Sequence, residues 1–343
     1  MTDPSDGRPA TAATGPPNGV LLVDKPSGVT SHDVVGRVRA VLRTRKVGHA
    51  GTLDPMATGV LVLGIGPSTR LIGQLALTDK AYAATIRLGI ATDTDDAEGT
   101  VTDRRGAADL VDGAWAEPIA ALTGDILQVP STVSAIKVDG VRAYQRARAG
   151  EQVELAARPV TVSRFAVLAP PRRCTVGGCS DSDAAGGTAV VDLDVEVECS
   201  SGTYIRALAR DLGVALGTGA HLTALRRTRV GLFDVAGAVD VFGPEGPAPR
   251  PEPGGKPVRR PIPEALRAEV AGAVIPAGQA AALAFTVRIG TDAEVRALSY
   301  GQSIAATGTA GPVAILDAAG DLVALVRDDG DRAAPVVVFR AAG

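Results

Sequence analysis

The sequence predicts an α+β fold, in which helices pack on an antiparallel-rich mixed sheet and a small β-rich domain follows. Three segments predict it. Residues 191–199 alternate strictly between apolar and acidic side chains, which is typical of a half-buried strand. Residues 82–90 alternate in a similar way. Residues 30–46 carry apolar side chains at the spacing of an amphipathic helix.

The helix predicted over residues 30–46 can begin at either of two capping residues, Thr30 or Ser31. Its apolar stripe consists of Val34, Val35, Val38, Val41 and Leu42. Arg39 and Arg43 fall on the opposite face, where they either contact solvent alone or bind phosphate. Residues 68–78 predict a second, shorter helix.

The two alternating segments predict strands with one buried face each. Tyr82 shares its face with Ile86, Leu88 and Ile90. In residues 191–199 the acidic side chains are expected to be solvated. Residues 170–188 are rich in Pro, Gly, Ser and Asp, which predicts a long surface loop between strands.

The end of the chain predicts a linker followed by short strands. Residues 244–263 have the Pro, Gly and charge content of an extended linker. Short β segments follow at residues 285–289, 313–316, 322–326 and 335–339, with a hairpin turn at residues 318–321. The predicted organisation is a disordered tail (1–17), a first domain (18–240) with a surface loop insertion (170–188), a linker (241–272) and a C-terminal domain (273–343).

Composition excludes several classes of protein. The 343 residues contain no apolar run of the length that spans a bilayer. The first 17 residues lack the apolar core of a signal sequence, so we expect a cytoplasmic protein. The three cysteines, Cys174, Cys179 and Cys199, form neither an even set for disulfides nor a set of metal ligands. We therefore expect no metal site.

The net charge of −3 conceals two basic segments. The first contains Lys25, Arg37, Arg39, Arg43, Arg45 and Lys46; the second contains Arg206, Arg210, Arg226, Arg227 and Arg229. Because phosphate contacts need local positive charge, both segments are compatible with RNA binding. The acidic residues 92–99 lack the spacing of a calcium loop and predict a polar turn, in which Asp96 contacts RNA or a basic side chain.

A lone carboxylate, Asp54, lies in a turn between glycines. Gly51 and Gly59 allow the backbone to turn tightly, and Pro55 restricts the conformations of Asp54. The apolar run at residues 60–63 predicts a buried strand that supports this loop. A carboxylate on a stiff loop is a candidate for catalysis, although most Asp-Pro turns are only turns.

These residues carry a family resemblance. Residues 48–59 (GHAGTLDPMATG), preceded by residues 23–28 (VDKPSG), resemble the signature of the TruB-type tRNA pseudouridine-55 synthases. Further matches follow in order at residues 80–82 (KAY), 128–131, 138–140, 157–160, 202–206 (GTYIR) and 221–227 (HLTALRR). The resemblance extends over residues 18–233, and several ordered motifs are far more specific than any one of them.

The resemblance implies the pseudouridine synthase fold, with a central cleft across the sheet, and a PUA-like C-terminal domain. It implies a monomeric, stand-alone isomerase that acts on uridine 55 in the T loop of tRNA. Its partner would be the T-arm stem-loop, with no obligatory protein partner and no membrane. The reaction breaks a C–N glycosidic bond in a flipped nucleotide and rejoins the uracil through carbon. It needs a carboxylate but no cofactor, redox partner or metal.

By the same resemblance, Asp54, Tyr82 and Arg206 are the catalytic residues. Asp54 would be the nucleophile, and Tyr82 would stack on the flipped base and accept or donate a proton. Arg206 falls in the first turn of a helix that Thr203 is expected to cap, where a cation opposes the helix dipole. Because helix stability gives no reason for this arginine, we predict an ion pair that orients Asp54 and keeps it ionised.

The remaining predicted site residues bind substrate. His49 would fill the space that the extruded base leaves. Tyr204 and Leu225 would line the pocket, although Leu225 could equally be a core residue. Lys25 and Pro26 would shape its rim, with Lys25 near the phosphates or Asp54. These substrate-binding residues are His49, Tyr204, Leu225, Lys25 and Pro26.

Two other functions compete with this one. A guide-RNA-dependent synthase of the dyskerin type shares the Asp54 motif but works with partner proteins. A tRNA-folding protein that binds the T arm, with secondary or no catalysis, would keep the fold and the basic segments. The intact set of Asp54, Tyr82 and Arg206 favours an enzyme over the folding protein.

Overall fold

The computed structural model describes residues 17–131, 137–138, 141–142, 155–177, 187–249 and 260–340. Some predicted features lie outside these residues. They are residues 1–16 of the N-terminal tail, residues 178–186 of the surface loop with Cys179, and residues 250–259 of the linker.

The α-helices of the described residues are short, with 4 to 11 residues each. The α-helices are α1 (Ser31–Val41), α2 (Ile72–Leu75), α3 (Ala116–Ala121), α4 (Ile205–Ala215), α5 (Glu264–Gly272), α6 (Ala277–Ala284) and α7 (Asp292–Ser299). Gly66–Leu71 and Val235–Gly237 form 3-10 turns. No helix in the described part of the chain has the length and apolarity that crossing a membrane requires.

Strands make up most of the rest. The first ten are β1 (Gly19–Lys25), β2 (Val47–His49), β3 (Thr58–Ile65), β4 (Lys80–Leu88), β5 (Ala91–Thr92), β6 (Val101–Asp103), β7 (Gly124–Gln128), β8 (Lys137–Val138), β9 (Val141–Arg142) and β10 (Arg158–Val167). The others are β11 (Arg172–Val176), β12 (Thr188–Cys199), β13 (Ala220–Val230), β14 (Phe233–Asp234), β15 (Ile275–Pro276), β16 (Thr286–Ile289), β17 (Ile304–Ala305), β18 (Pro312–Leu316), β19 (Leu322–Asp329) and β20 (Arg332–Val338).

An 11-stranded mixed sheet forms the body of the molecule, in the order β15-β1-β3-β13-β4-β12-β10-β7, with β2, β11 and β14 paired beside this path. The pair β3–β13 is parallel, and the other neighbours on the path are antiparallel. The prediction of an antiparallel-rich mixed sheet is therefore confirmed. The adjacent strands β3, β13 and β4 bring the Asp54 loop and Tyr82 to the same part of the sheet.

Helix α1 forms where the sequence predicts it but is shorter. Thr30, rather than Ser31, is the cap, and it forms a capping box with Asp33. The valines of the predicted stripe are buried against β1 and β3. The helix ends at Val41, before the predicted residue 46, and Arg43 then adopts a positive φ of 51°. That left-handed residue redirects the chain into β2.

The sequence predicts that the acidic side chains of β12 are solvated. In the structure each of them instead pairs with an arginine of a nearby strand. The pairs are Asp192–Arg87 at 2.8 Å, Asp194–Arg172, Glu196–Arg164 at 2.5 Å and Glu198–Arg229 at 2.7 Å. These arginines come from β4, β11, β10 and β13, so the pairing depends on strand register and not on spacing along the chain. Residues 170–188 also differ from the prediction of a loop, because they include β11.

The C-terminal strands form a sheet of five, in the order β16-β18-β19-β20-β17. Its strands overlap the four predicted β segments, and the turn at residues 318–321 joins β18 to β19, with Gly320 at a φ of 85°. The predicted linker is only partly extended, because it contains α5. Leu266 and Val270 of that helix are buried with Val34 and Val38 of α1.

Candidate active site

A cavity of about 270 Å³ opens where the Asp54 loop, β4 and β13 meet the start of α4. The residues that line it come from the Asp54 loop, the segment before α4, and the facing side chains of β4 and β13. The predicted site residues among them are Asp54, Tyr82, Tyr204, Arg206 and Leu225. His49, Lys25 and Pro26 are not part of this lining.

The loop that carries Asp54 is fixed by hydrogen bonds on both sides. The Ser31 hydroxyl accepts from the Leu53 amide at 2.9 Å and donates to the Leu53 carbonyl at 3.2 Å, which ties the loop to α1. The Gly28 amide donates to the Pro55 carbonyl at 2.8 Å. The carboxylate is therefore presented by a segment whose backbone is anchored immediately before and after it.

Asp54 forms the predicted ion pair with Arg206. The Nε atom of Arg206 lies 3.0 Å from Oδ2 of Asp54, and Nη2 donates to Oδ1 at 3.3 Å, so one guanidinium nitrogen faces each carboxylate oxygen. The Arg206 side chain is 4% exposed, whereas that of Asp54 is 36% exposed. The carboxylate thus remains open to the cavity while the guanidinium behind it is buried.

Arg206 also binds a second carboxylate, that of Asp96. Its Nη1 atom lies 3.2 Å from Oδ2 of Asp96 and donates to the Thr94 carbonyl at 2.9 Å. Asp96 is itself held by the Thr94 hydroxyl at 2.6 Å and the Glu98 amide at 3.0 Å. Of the two partners predicted for Asp96, the structure contains the basic side chain.

These charges act on the pKa of Asp54 in opposite directions. Burial raises the pKa above its ordinary value, and the nearby charge of Asp96 raises it further. The charges of Arg206 and Lys25 lower it, and so does the hydrogen bond from Arg206. The net direction is upward, so the Arg206 pair opposes the burial of the carboxylate without fully offsetting it.

Tyr82 and Leu225 lie on neighbouring strands, β4 and β13, and form the apolar wall of the cavity. Both side chains are 7% exposed. Burial raises the pKa of Tyr82, and the adjacent guanidinium of Arg227 opposes this shift. The tyrosine hydroxyl is therefore protonated at neutral pH, as a donor or acceptor beside the cavity.

Tyr204 is the N-cap residue of α4, in place of the Thr203 that the sequence predicts. It provides no side-chain cap, while the Thr203 hydroxyl donates to the Ser200 carbonyl at 3.0 Å. The side chain of Gln128 accepts from the Tyr204 amide at 2.8 Å and donates to its carbonyl at 3.1 Å. This pair of bonds links β7 to the segment that carries Tyr204 and Arg206.

Lys25 lies beneath the Asp54 loop and is 0% exposed. Its ammonium donates to the carbonyls of Pro26 at 2.9 Å, Val29 at 2.7 Å and Pro55 at 3.0 Å. Burial lowers the pKa of Lys25 to about 8, although the charge of Asp54 favours the protonated form. Of the two positions predicted for Lys25, the structure places it near Asp54. Pro26 is half-buried beside it.

His49 ends β2 and faces His32 at the start of α1, with ring centroids 6.4 Å apart and an interplanar angle of 80°. Burial lowers the pKa of His49, and the charges of His32 and Arg227 lower it further. The ring is therefore neutral at pH 7. His49 lies two residues before Gly51, the first residue along the chain that lines the cavity.

Sequence reasoning missed several residues of the site. Arg227 and Lys80 line the cavity, although the sequence indicates them only as part of motifs. Gln128 likewise lies in a matched stretch but has no obvious role there. Their side chains meet the site through contacts between distant segments, so no local pattern could have identified them.

The chain matches three sequence families. Residues 39–205 match "TruB family pseudouridylate synthase (N terminal domain)", and residues 206–241 match "tRNA pseudouridylate synthase B C-terminal domain". Residues 285–340 match "tRNA Pseudouridine synthase II, C terminal".

Curated relatives are similar over nearly their whole length. Proteins named tRNA pseudouridine synthase B from Nocardia farcinica, Thermobifida fusca and Streptomyces coelicolor are 54%, 50% and 50% identical to the chain. The alignments cover 97%, 94% and 94% of this chain and 97%, 98% and 97% of the relatives.

Two solved structures share the fold at lower identity. A Cbf5-Nop10-Gar1 complex contains a chain that is 25% identical, with a TM-score of 0.62 over 94% of this chain and 85% of that one. An H/ACA RNP bound to a substrate RNA containing 2'-deoxyuridine contains one that is 23% identical, with a TM-score of 0.60 over 96% and 92%.

Proposed function

The chain belongs to the TruB family of pseudouridylate synthases, and from that membership we propose that it converts uridine 55 in the T loop of tRNA to pseudouridine. The single observation that carries the chemistry is the Asp54–Arg206 pair at the cavity. The names of the relatives, which are 50–54% identical, support tRNA as the substrate.

The cavity has the chemical character that a flipped nucleotide needs. Its volume of about 270 Å³ lies just below the roughly 300–1,000 Å³ typical of small-ligand sites, which suits one nucleoside rather than a duplex. Tyr82 and Leu225 offer an apolar surface against which a base can stack. Enzymes that act on a base must first remove it from the stack, and such a pocket then receives it.

In the proposed reaction Asp54 acts on the bound nucleotide, either at the sugar C1′, at the base, or by deprotonating the sugar towards a glycal. Each route ends with cleavage of the C–N bond, rotation of the uracil and formation of a bond from C1′ to C5. The proton on C5 is then lost to solvent, and N1 gains one. Product and substrate are isomers, so no oxidant or reductant enters the balance.

Arg206 contributes by fixing the carboxylate of Asp54 before substrate arrives. An ion pair that contacts both carboxylate oxygens restricts the rotation of the carboxylate and favours its ionised, reactive form. The Asp96 contact fixes Arg206 from the other side. We propose Asp54, Arg206 and Tyr82 as the catalytic residues, and His49, Tyr204, Leu225, Lys25 and Pro26 as residues that bind substrate or shape its pocket.

We further propose that the enzyme is monomeric, cytoplasmic and acts without an obligatory protein partner or cofactor. The guide-dependent alternative draws on the likeness to a chain from an H/ACA RNP, which is 23% identical. The tRNA-named relatives are twice as similar and align end to end. The proposed organisation is a tail (1–17), a catalytic domain (18–240), a linker (241–272) and a PUA-like domain (273–343).

The position of the modified uridine can be tested with two transcripts. Purified protein is incubated with tRNA labelled with tritium at C5 of uracil, and the released tritium is counted. We expect release to approach one equivalent per tRNA, and to be lost in a transcript with cytidine at position 55. Equal release from both transcripts would reject position 55, and release only with an added guide RNA would favour the guide-dependent alternative.

A further inference from the structure

Arg227 is a buried guanidinium at the base of the cavity. Its side chain is 1% exposed, and it is among the largest fully buried side chains of the described residues. It lies on β13, where its backbone is in register with Gly59 of β3 and Tyr82 of β4. Arg227 therefore lies between the strand that follows the Asp54 loop and the strand that carries Tyr82.

The contacts of Arg227 go to both of these neighbours. Nε donates to the Val60 carbonyl at 2.8 Å, and Nη2 donates to the Gly51 carbonyl at 3.1 Å. Gly51, with a φ of 91°, begins the turn that leads to Asp54. The guanidinium and the phenol of Tyr82 line the same cavity, and the charge of Arg227 opposes the rise that burial causes in the pKa of Tyr82.

The charge of Arg227 is not matched by an ion pair. Among the described residues, no carboxylate lies within ion-pair distance of it, although Arg206, Arg226 and Arg229 each have one. Arginine is rarely buried without such a partner, and a buried charge gives weak net stability. An apolar side chain would fill the same space, so stability alone does not account for an arginine with these contacts.

We propose that Arg227 is a positioning residue for the reaction, which holds the turn before Asp54 and the phenol of Tyr82 in one fixed arrangement. This inference rests on the proposed function. Its side chain is almost wholly buried and at least two of its donors are used by carbonyls, so it acts through Gly51 and Tyr82 rather than on the RNA. Arg206 fixes the Asp54 carboxylate itself, whereas Arg227 fixes the backbone that presents it.

The proposal is tested with Arg227→Met, which keeps a long side chain and removes the donors, and with Arg227→Lys, which keeps a charge and one donor group. Arg164→Met is the matched control, because Arg164 is a half-exposed arginine on β10 whose partner is Glu196. For Arg227→Met we expect kcat about 100-fold lower, with the dissociation constant for tRNA changed less than about threefold. Arg227→Lys should recover part of the loss, and Arg164→Met should match the wild type.

A double-mutant cycle shows whether Arg227 acts through Tyr82. If it does, Arg227→Met will lower kcat by a smaller factor in a Tyr82→Phe background than in the wild type. Equal factors in both backgrounds would overturn the link to Tyr82. An unchanged kcat, or a weaker affinity for tRNA at unchanged kcat, would overturn the positioning role itself.

Folding and function are separated by two further readouts. If Arg227→Met does not fold, Arg227→Lys decides, and wild-type kcat in that variant would overturn the proposal. If the wild-type protein itself releases no tritium from tRNA, the proposed function fails. A crystal structure of Arg227→Lys then decides this inference: unmoved Gly51 and Tyr82 would overturn it, and their displacement would support it.

Discussion

Asp54 shares a single guanidinium with Asp96, because Arg206 binds both carboxylates at 3.0 Å and 3.2 Å. Asp96 and Arg206 are each 4% exposed at the side chain, so their interaction is shielded from solvent. The arrangement leaves Asp54 as the only one of the three groups that is substantially open to the cavity. We therefore expect the reactivity of Asp54 to depend on Asp96, which contacts the same guanidinium.

Replacing Asp96 with Asn tests this dependence. The change removes a negative charge that raises the pKa of Asp54, so the acidic limb of the pH–rate profile should move to lower pH. Because Arg206 loses a charged anchor, kcat should also fall about tenfold or more. Asp103→Asn, which alters an exposed pair with Arg105, is the control. A profile and kcat like those of the wild type would contradict the coupling.

Because Lys25 is buried, its contribution to the pH dependence of stability has a definite sign. Burial lowers its pKa from 10.5 to about 8, so between these values the unfolded chain binds more protons here than the folded chain. The contribution of Lys25 to the free energy of unfolding therefore rises with pH through this window, by at most roughly 3 kcal/mol, and is constant below it.

Lys25→Met should remove that contribution. We expect the free energy of unfolding, measured with urea from about pH 7.5 to about pH 10, to rise less steeply with pH in the variant than in the wild type. Lys80, whose pKa burial also lowers to about 8, is present in both proteins and cancels in the comparison. Parallel curves would show that Lys25 is not held as the structure places it.

At the junction of β3 and β13, the backbone leaves no room for a side chain at position 59. Gly59 has a φ of 99°, and a Cβ atom there would lie 2.1 Å from the Arg227 carbonyl. We expect Gly59→Ala to lower the free energy of unfolding by more than about 3 kcal/mol, because it combines backbone strain with a clash.

Gly36 provides the matched control for that substitution. It lies on the exposed face of α1, and a Cβ atom there meets nothing within 4 Å. Gly36→Ala should stabilise the protein by up to about 1 kcal/mol, since alanine favours helix. Chemical denaturation measures both variants, and a Gly59→Ala protein as stable as Gly36→Ala would contradict the described junction.

Local sequence patterns predict which segments form helices and strands better than they predict which residues of other elements lie beside them. The alternation at residues 191–199 predicts β12, and the valine stripe predicts α1, because each pattern is the direct consequence of one buried face. The arginine partners of the β12 acids come from four other strands, so their identity depends on a register that the sequence does not display. The same holds at the site: the Arg206 pair with Asp54 is predicted from a motif, whereas Arg227 is not.

For the whole molecule, the two sheets share one buried cluster. Val20 and Leu22 of β1 lie in the same cluster as Ala314 and Leu316 of β18. Strand β15, which precedes the C-terminal sheet, pairs with β1 of the main sheet. Residues 273–343 therefore contribute both a strand and apolar side chains to the body formed by the main sheet.

Deletion of residues 273–343 should consequently destabilise the remaining part. The deletion exposes Val20, Leu22 and their neighbours, and each such side chain contributes about 1.5–3 kcal/mol when buried. We expect a lower unfolding temperature and increased binding of a hydrophobic dye for the fragment of residues 1–272. A fragment that melts like the full chain and binds no dye would establish two independent domains.

We propose above that isomerisation by this protein depends on the Asp54 carboxylate. The most direct test of this proposal is tritium release from tRNA labelled at uracil C5, with wild type compared with Asp54→Asn, and with tRNA affinity measured for both. We predict release by the wild type and at least about 10³-fold slower release by the variant, at similar affinity. Release by Asp54→Asn at the wild-type rate would exclude this role for Asp54.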